Sequence, residues 1–441
     1  MRNAIGVLLP RRGGLAWGTV GTLALNTSTT LLNFALAVLL ARLLGADGYG
    51  AFAFALAWAV VLSSFAGLGL SPLVVRHVAA SQARADWPTL RGVLRWTNGV
   101  VLATSLLAAG LAGLCGWLLI DENALLGPLL IGMALVPPTA LIMVRQSAMQ
   151  GLGLVVLGRV PETLIVPGLF LLLAATAGLA LGDSFSASWA ISLQVGATLV
   201  AFAVGAVLLA HALPRLARGA VPRYEARKWA RSAVPLFLLG LLGAVTTQVG
   251  TILLGFFAAP EDVGIFALAL RLSSFAGFIF LAVTYPLMPA VAHLHSLGER
   301  EQMRATIARA ARPVFLATLP VALAIGLLAG PLLALFGDEF QDGAGAVRIL
   351  VAGELVKAFL GLSGLLLVMT GHEGDLTRGV AVGGVTNLVL ALVLVPLFSV
   401  GGAAIAGAVG MAATNLVLAR LARKRLGFSG AAWSPSRDGS G

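Results

Sequence analysis

Charged side chains inside long apolar stretches are the residues of this sequence best placed to carry chemistry. Glu354 and Lys357 stand three positions apart in one stretch, and Arg271 lies in another, one turn before Ser274. A charge inside hydrocarbon costs about 2.5 to 3.5 kcal/mol on insertion scales, so it faces the protein interior or water and often marks a substrate path. Glu354 and Lys357 predict either a structural ion pair or two groups on such a path, whereas Arg271 is better explained as a cation lining a cavity.

A stripe of polar side chains marks the first apolar stretch. Thr22, Asn26, Thr29 and Asn33 recur at intervals of four, three and four residues. At about 100° per residue this spacing confines them to an arc of about 60° on a helix. Such a stripe avoids lipid, and two explanations stay open: hydrogen bonds that join neighbouring helices, or the wall of a water-filled cavity.

Catalytic and metal-binding patterns are not recognisable, so we expect no enzyme, no metal site and no cofactor. His293 and His295 lack carboxylates or thiols at ligand spacing, and the sequence has no phosphate-cradling glycine-rich motif and no Ser/His/Asp set. Without a nucleotide-binding domain, transport by this chain would not be driven by ATP.

The elements that must hold these residues are transmembrane helices. Apolar residues make up 59% of the 441 residues and charged residues 11%, and the mean hydropathy is +0.97, whereas a soluble domain is about a quarter charged. A span needs about 20 apolar residues. The twelve segments predicted as spans are 15–41, 49–75, 96–120, 124–144, 158–181, 188–210, 232–257, 263–288, 314–336, 344–370, 379–398 and 402–421.

The basic residues predict the orientation of the chain. Of the 29 lysines and arginines, 25 fall in the even-numbered loops and the two tails; the others are Arg42, Arg271, Arg348 and Lys357. Because basic loops stay in the cytoplasm, we expect both termini to be cytoplasmic and the protein to lie in the cell (inner) membrane. The net charge of +11 is explained by these loops, so nucleic acid is not an expected partner.

An internal repeat relates the two halves of the chain. Leu39-Leu40 and residues 47–56 align without gaps with Leu253-Leu254 and residues 261–270, at an offset of 214. Because each half has an even number of spans, both halves enter the membrane from the same side, and their pseudo-symmetry axis should run along the membrane normal.

The predicted fold is therefore an all-α polytopic membrane protein with about twelve transmembrane helices in two pseudo-symmetric six-helix lobes around a central cavity. The most basic loop, at residues 214–231, lies midway along the chain. The predicted parts are an N-terminal lobe at 1–213, a cytoplasmic linker at 214–231, a C-terminal lobe at 232–421 and a cytoplasmic tail at 422–441.

Several short motifs carry a resemblance to a known family. They are LARLLG at 40–45 with Tyr49-Gly50, LFGDEF at 335–340, MTGHE at 369–373, VPLF at 395–398 and GGAAIA at 401–406. In order and spacing this set resembles the polysaccharide flippases, the oligosaccharide-lipid transporters of the multidrug/oligosaccharidyl-lipid/polysaccharide exporter superfamily. The resemblance covers nearly the whole chain.

The resemblance implies a flippase that moves a polyprenyl-diphosphate-linked oligosaccharide across the membrane by alternating access, for cell-surface polysaccharide synthesis. Its partners would be the lipid-linked glycan, membrane lipids, a coupling ion and polysaccharide-assembly proteins. Arg271, with Lys357 and Glu354, would face the head group. Many relatives have an Asp-Arg-like pair where this chain has Gly250-Thr251, so Gln248 and Thr251 are the polar candidates for the cavity wall there.

Three other functions stay open. A drug/cation antiporter of the same superfamily would need an acidic cavity, and the intramembrane acids are Glu162 and Glu354. A membrane-embedded glycan polymerase or glycosyltransferase would need a sizeable extramembrane loop, and the outer loops are short. Lipid II flippases are closer relatives, but they commonly have two further spans.

Overall fold

The structure, a computed structural model, describes the backbone of residues 14–119 and 124–432. Thr22 of the polar stripe, the basic residues of the N-terminal tail and Arg437 lie outside the residues whose side chains it describes.

Sixteen α-helices run through the described ranges and are numbered here in chain order. They are α1 Gly14–Ala66, α2 Leu70–Ala83, α3 Trp87–Leu119, α4 Leu126–Gly132, α5 Val136–Gly151, α6 Val155–Val160, α7 Val166–Leu181, α8 Ala187–Ala212, α9 Arg215–Gly219, α10 Ala226–Phe257, α11 Pro260–Ser296, α12 Arg300–Leu327, α13 Ala329–Ala334, α14 Ala344–Leu360, α15 Leu362–Met369 and α16 Glu373–Leu426. A π-helical turn, Pro161–Ile165, joins α6 to α7.

The predicted all-α polytopic fold is confirmed, because each of the twelve predicted spans lies on one or more of these helices. Seven helical stretches of the described chain are long and apolar enough to cross a membrane, and the pair Asp338–Leu360 and Leu362–Met369, bent by 46°, makes an eighth. Two of the seven, in α1 and α16, are each interrupted by one non-helical residue. Each of these two helices therefore carries two predicted spans.

The interruptions replace the loops that the sequence predicted. Gly45 divides α1 with φ 67° and ψ −179°, a conformation that costs glycine little because it lacks a Cβ. Ser399 divides α16 with φ 45°, and its hydroxyl donates a hydrogen bond of 2.8 Å to Asp262 Oδ2 on the first turn of α11. The second predicted span is broken rather than continuous, because α1 ends at Ala66 and α2 begins only at Leu70.

The chain separates into two compact units, which are described separately. Among the described residues, unit 1 contains 14–43, 62–119 and 126–240, and unit 2 contains 44–61, 124–125 and 241–432. The beginning of the predicted second span thus belongs to the unit that contains the C-terminal half of the chain. The lobe boundaries inferred from the basic linker stay a prediction.

In unit 1, α5 packs against α2, α3 and α8 around a core that includes Leu73, Met149 and Trp229. The linker lies against the start of α3. Arg91 Nη1 donates to the Ala220 carbonyl at 2.7 Å, and the Arg223 backbone N–H donates to the Pro88 carbonyl at 3.0 Å. These contacts fasten the most basic segment of the chain to the helical core of unit 1.

In unit 2, α14 packs against α11, α12 and α16, and the two copies of the sequence repeat meet. A Cβ on Gly50 would overlap the Pro260 carbonyl oxygen and lie 2.9 Å from the Gly264 nitrogen; a Cβ on Gly264 would overlap the Ala46 carbonyl oxygen and lie 3.0 Å from the Gly50 nitrogen. Gly50 and Gly264 are 214 residues apart, as are Ala46 and Pro260. The contact is therefore reciprocal, as across a two-fold axis.

Candidate functional site

Arg271 lies on α11, half-buried in unit 2. Its Nη1 donates a long hydrogen bond of 3.4 Å to the hydroxyl of Tyr49, which is 3% exposed and packs edge-on against Phe340 with ring centroids 6.1 Å apart. Within the described ranges no carboxylate forms a salt bridge with Arg271. A guanidinium has five N–H donors, and a single neutral acceptor satisfies only one of them. The other donors of Arg271 can bind water or an anionic ligand.

Glu354 and Lys357 form an ion pair on α14. The Lys357 Nζ lies 3.0 Å from Glu354 Oε2 and 5.8 Å from the centroid of the Phe280 ring on α11, and Glu354 is 8% exposed. Gly277, also on α11, makes room for the carboxylate, because a Cβ there would lie 2.7 Å from Glu354 Oε2. This geometry favours the structural explanation of the pair.

The two polar candidates on α10 differ in exposure. Gln248 is half-buried, whereas Thr251 is 3% exposed and packed inside unit 2. A place for either residue in the cavity wall stays a prediction.

The polar stripe of α1 lies in unit 1 and serves at least partly as a helix contact. The Thr29 hydroxyl lies 2.7 Å from the Leu25 carbonyl oxygen and 3.0 Å from that of Thr163 in the π-helical turn, so its one proton is shared between two acceptors. Asn26 and Asn33 are half-buried, and the Asn33 side chain has no hydrogen-bond partner among the residues described. The side chain of Asn26 likewise has no hydrogen-bond partner in that part of the chain, so both asparagines keep their amide groups for a ligand.

Arg145 and Arg159 were counted with the basic loop between the predicted spans 124–144 and 158–181, although residue 159 falls inside the second of these spans. Arg145 and Arg159 lie within the apolar helical stretches Leu126–Gly151 and Val155–Ser184. The Arg145 guanidinium stands 3.7 Å from the centroid of the Phe202 ring on α8, and its Nη1 donates to the Phe202 carbonyl at 2.8 Å. The Arg159 Nε is buried without a hydrogen-bond partner among the described residues. An aromatic face and a carbonyl partly replace the hydration of Arg145.

Glu162 stands three residues after Arg159, in the π-helical turn. Its side chain is exposed, although Pro161 and Thr163 on either side are buried. Proline cannot donate a backbone hydrogen bond and distorts the helix, and π-helical turns are frequent at functional sites. The signal available in the sequence was Pro161-Glu162 inside an apolar run; nothing comparable marked Arg145.

These features define a class of protein: a polytopic α-helical membrane protein whose apolar helices hold several cations and few acids. The same fold occurs in solved structures. The chain resembles the inward-facing conformation of a multidrug resistance MATE family transporter of the MOP superfamily, with a TM-score of 0.72, 16% identity, and coverage of 90% of this chain and 94% of that one. It also resembles the lipid II flippase MurJ in an inward closed conformation, with a TM-score of 0.73, 14% identity, and coverage of 91% and 87%.

The sequence identifies the family. The model of the polysaccharide biosynthesis protein family matches residues 15–295, and the chain belongs to that family. A relative in Haloferax volcanii, the probable flippase AglR, is 27% identical over 173 residues. That match covers 38% of this chain and 36% of the relative, so the chain spans about a third of the length of the curated relative it matches.

Proposed function

We propose that this protein is a flippase that moves a polyprenyl-diphosphate-linked oligosaccharide from the cytoplasmic to the outer leaflet by alternating access. Family membership and the MATE-like and MurJ-like fold support a transporter rather than an enzyme. We place it in the cell (inner) membrane with both termini cytoplasmic, working with polysaccharide-assembly proteins and driven by a coupling ion.

Arg271 is the single observation that carries the choice of substrate. It is half-buried in a predicted span, it donates a hydrogen bond of 3.4 Å to a tyrosine hydroxyl, and it has no salt bridge in the described part of the chain. A guanidinium in that position must recover solvation from water or an anion. The diphosphate of a lipid carrier supplies such an anion, and Arg binds phosphate through two parallel hydrogen bonds.

The charged residues inside the apolar helices also favour an anionic substrate. Within the predicted spans the acids are Glu162 and Glu354, and the cations are Arg159, Arg271, Lys357 and the exposed Arg348 and Arg420. The excess of cations suits an anionic head group. A sugar diphosphate is prohibitively polar for hydrocarbon and needs a polar path, whereas the prenyl tail can remain in lipid.

The test is complementation of a flippase-deficient strain with Arg271 variants. Arg271→Ala should abolish surface glycan at normal protein abundance, and Arg271→Lys should restore part of it, because a point charge still binds phosphate without the bidentate geometry. Arg348→Ala is the matched control, since Arg348 is exposed and its Nε donates to the Gly326 carbonyl at 3.2 Å. Wild-type export by Arg271→Ala would refute the proposed contact.

A drug/cation antiporter is the second candidate, favoured by Glu162, an exposed carboxylate in an apolar helical stretch of unit 1. The antiporter needs an acidic group to bind its cationic substrate, whereas the flippase needs a basic group to bind a diphosphate. If cations are the substrate, Glu162→Gln should abolish resistance to cationic drugs, and Arg271→Ala should leave that resistance unchanged. Lost glycan export by Arg271→Ala with unchanged drug sensitivity for both variants would exclude the antiporter.

A further inference from the structure

A basic pocket of about 270 Å³ lies in unit 1 and shares no residue with the candidate site described above. Its walls come from helix α2, the turn between α2 and α3, the first turn of α3, the linker and the first turn of α10. Its charged or titratable lining residues are Arg76, His77, Arg84, Asp86, Glu225 and Lys228. By the predicted topology this pocket opens on the cytoplasmic side.

The positive charges of the pocket exceed what its acids neutralise. Glu225 already contacts Lys228 at 3.2 Å and Arg223 at 4.0 Å, and Asp86 Oδ1 accepts the backbone N–H of Thr89 at 3.2 Å. Neither Arg76 nor Arg84 has a hydrogen bond or salt bridge from its side chain within the described ranges. Both guanidinium groups therefore keep their donors for a ligand.

The two free arginines are placed to act together. Arg76, Ala80 and Arg84 follow one another at intervals of four residues along α2 and its C-terminal cap, and all three line the pocket. At a rise of about 1.5 Å per residue the outer two backbones are about 12 Å apart. Two extended arginine side chains can meet across that distance, with only the small Ala80 side chain between them.

The walls of the pocket are held in place without a ligand. Trp229, one residue after Lys228, is fully buried, and its ring contacts Trp96 and His77 with centroid distances of 5.4 and 6.2 Å. The linker is hydrogen-bonded to the start of α3 through Arg91 and Arg223. A preformed site loses less entropy on binding than one that must first be ordered.

We propose that this pocket binds a phosphate group, supplied by the headgroup of an anionic phospholipid in the cytoplasmic leaflet. Arginine recognises phosphate oxygens through charge-assisted hydrogen bonds, and basic pockets between helices on the cytoplasmic side bind anionic headgroups. Trp87 at the start of α3 and Trp96 are aromatic residues of the kind enriched at the membrane interface. Free inorganic phosphate is the other source of the same chemistry. This lipid site is independent of the proposed transport substrate.

His77 provides a readout specific to this pocket. Burial lowers the pKa of His77, Arg76 and Lys228 lower it further, and Glu225 raises it. A bound phosphate would oppose the two cations and raise the pKa of His77. By reciprocity, binding should tighten as the pH falls from about 8 to about 5. Since a phosphodiester keeps its charge in that range, the pH dependence should disappear in His77→Gln.

The experiment uses the purified full-length protein in neutral detergent and follows thermal unfolding while phosphatidylglycerol, phosphatidylcholine or inorganic phosphate is titrated. Phosphatidylglycerol should stabilise the wild type and phosphatidylcholine should not. In Arg76→Gln/Arg84→Gln the concentration of phosphatidylglycerol for half-maximal stabilisation should rise at least about tenfold, because charge-assisted hydrogen bonds are lost. The matched control is Arg300→Gln/Arg420→Gln, which removes two exposed arginines outside the pocket.

A second variant covers the case in which the double variant does not fold. Ala80 is exposed, so Ala80→Glu should fold with its carboxylate between the two arginines, and it should lose the response to phosphatidylglycerol. An unchanged response in both variants would overturn the proposal. If inorganic phosphate stabilised the protein as much as phosphatidylglycerol does, and phosphatidylglycerol stabilised it no more than phosphatidylcholine, the lipid would be overturned as the source of the phosphate.

Discussion

Lys357→Met should destabilise the protein strongly, whereas removing both charges of its ion pair should not. Lys357 Nζ lies 3.0 Å from Glu354 Oε2, and at an effective dielectric constant of about 20 this distance corresponds to an attraction of about 5 to 6 kcal/mol before desolvation. Loss of one partner leaves the other charge buried and costs about 3 to 5 kcal/mol. We expect the lower end, about 3 kcal/mol, because 28% of the Lys357 side chain is exposed.

The assay is a double-mutant cycle of Lys357→Met, Glu354→Gln and the double variant, with unfolding measured in mixed micelles and surface glycan scored in cells. The double variant should recover most of the lost stability, because neither charge then stays buried alone. The matched control is the pair Arg304 and Glu301 on α12, which has the same spacing but an Nη1–Oε1 distance of 3.7 Å and an 88% exposed glutamate. Removing the ion pair of Arg304 and Glu301 should lower the free energy of unfolding by less than about 1 kcal/mol.

Two results would refute this reasoning. If Lys357→Met unfolded like the wild type, the pair would not be a structural ion pair in the folded protein. If the double variant were as stable as the wild type but exported no glycan, the pair would belong to the substrate path rather than to the packing of α14 on α11.

Three further predictions concern packing, topology and the polar stripe. Gly50→Ala should cost about 1 to 3 kcal/mol of stability by overpacking, because a Cβ would overlap the Pro260 carbonyl, whereas Gly345→Ala, which meets open space, should not; equal unfolding midpoints would contradict this. Cysteine at Asp338 should react with an impermeant reagent in intact cells and cysteine at Arg304 should not; the reverse labelling would invert the topology. Asn33→Leu should lower glycan export at unchanged protein level, since the side chain has no described hydrogen-bond partner; full export would assign Asn33 to packing.

Much of the fold could be predicted from the sequence because the membrane restricts the solutions. A segment in hydrocarbon must satisfy its own backbone hydrogen bonds, so twelve apolar runs predicted helices, and all twelve fall on helices. Single-residue interruptions such as Gly45 and Ser399 were less predictable. At Ser399 the positive φ is accompanied by the hydrogen bond to Asp262, which lies 137 residues away.

Part of the candidate site could be predicted from the sequence for the same reason. A charge in an apolar run is conspicuous, and a spacing of three residues on a helix places two side chains on one face, so the contact between Glu354 and Lys357 could be foreseen. Arg145 falls one residue outside its predicted span because the helix extends past that apolar run to Gly151, whereas Arg159 lies inside the predicted span 158–181. The boundary of a helix depends on tertiary contacts, such as that of Arg145 with Phe202, which composition does not reveal.

The sequence by itself determined the helical membrane architecture, the internal repeat and the presence of cations in apolar segments, because these properties follow from local composition and spacing. Only the tertiary structure decided which distant residues meet. It brought Tyr49 to Arg271 across 222 residues and Gly50 to Gly264 across the repeat, and it placed residues 44–61 in unit 2. Such contacts depend on side-chain volume and close backbone approach, and a glycine has the same identity in the sequence whether it faces open space or another backbone.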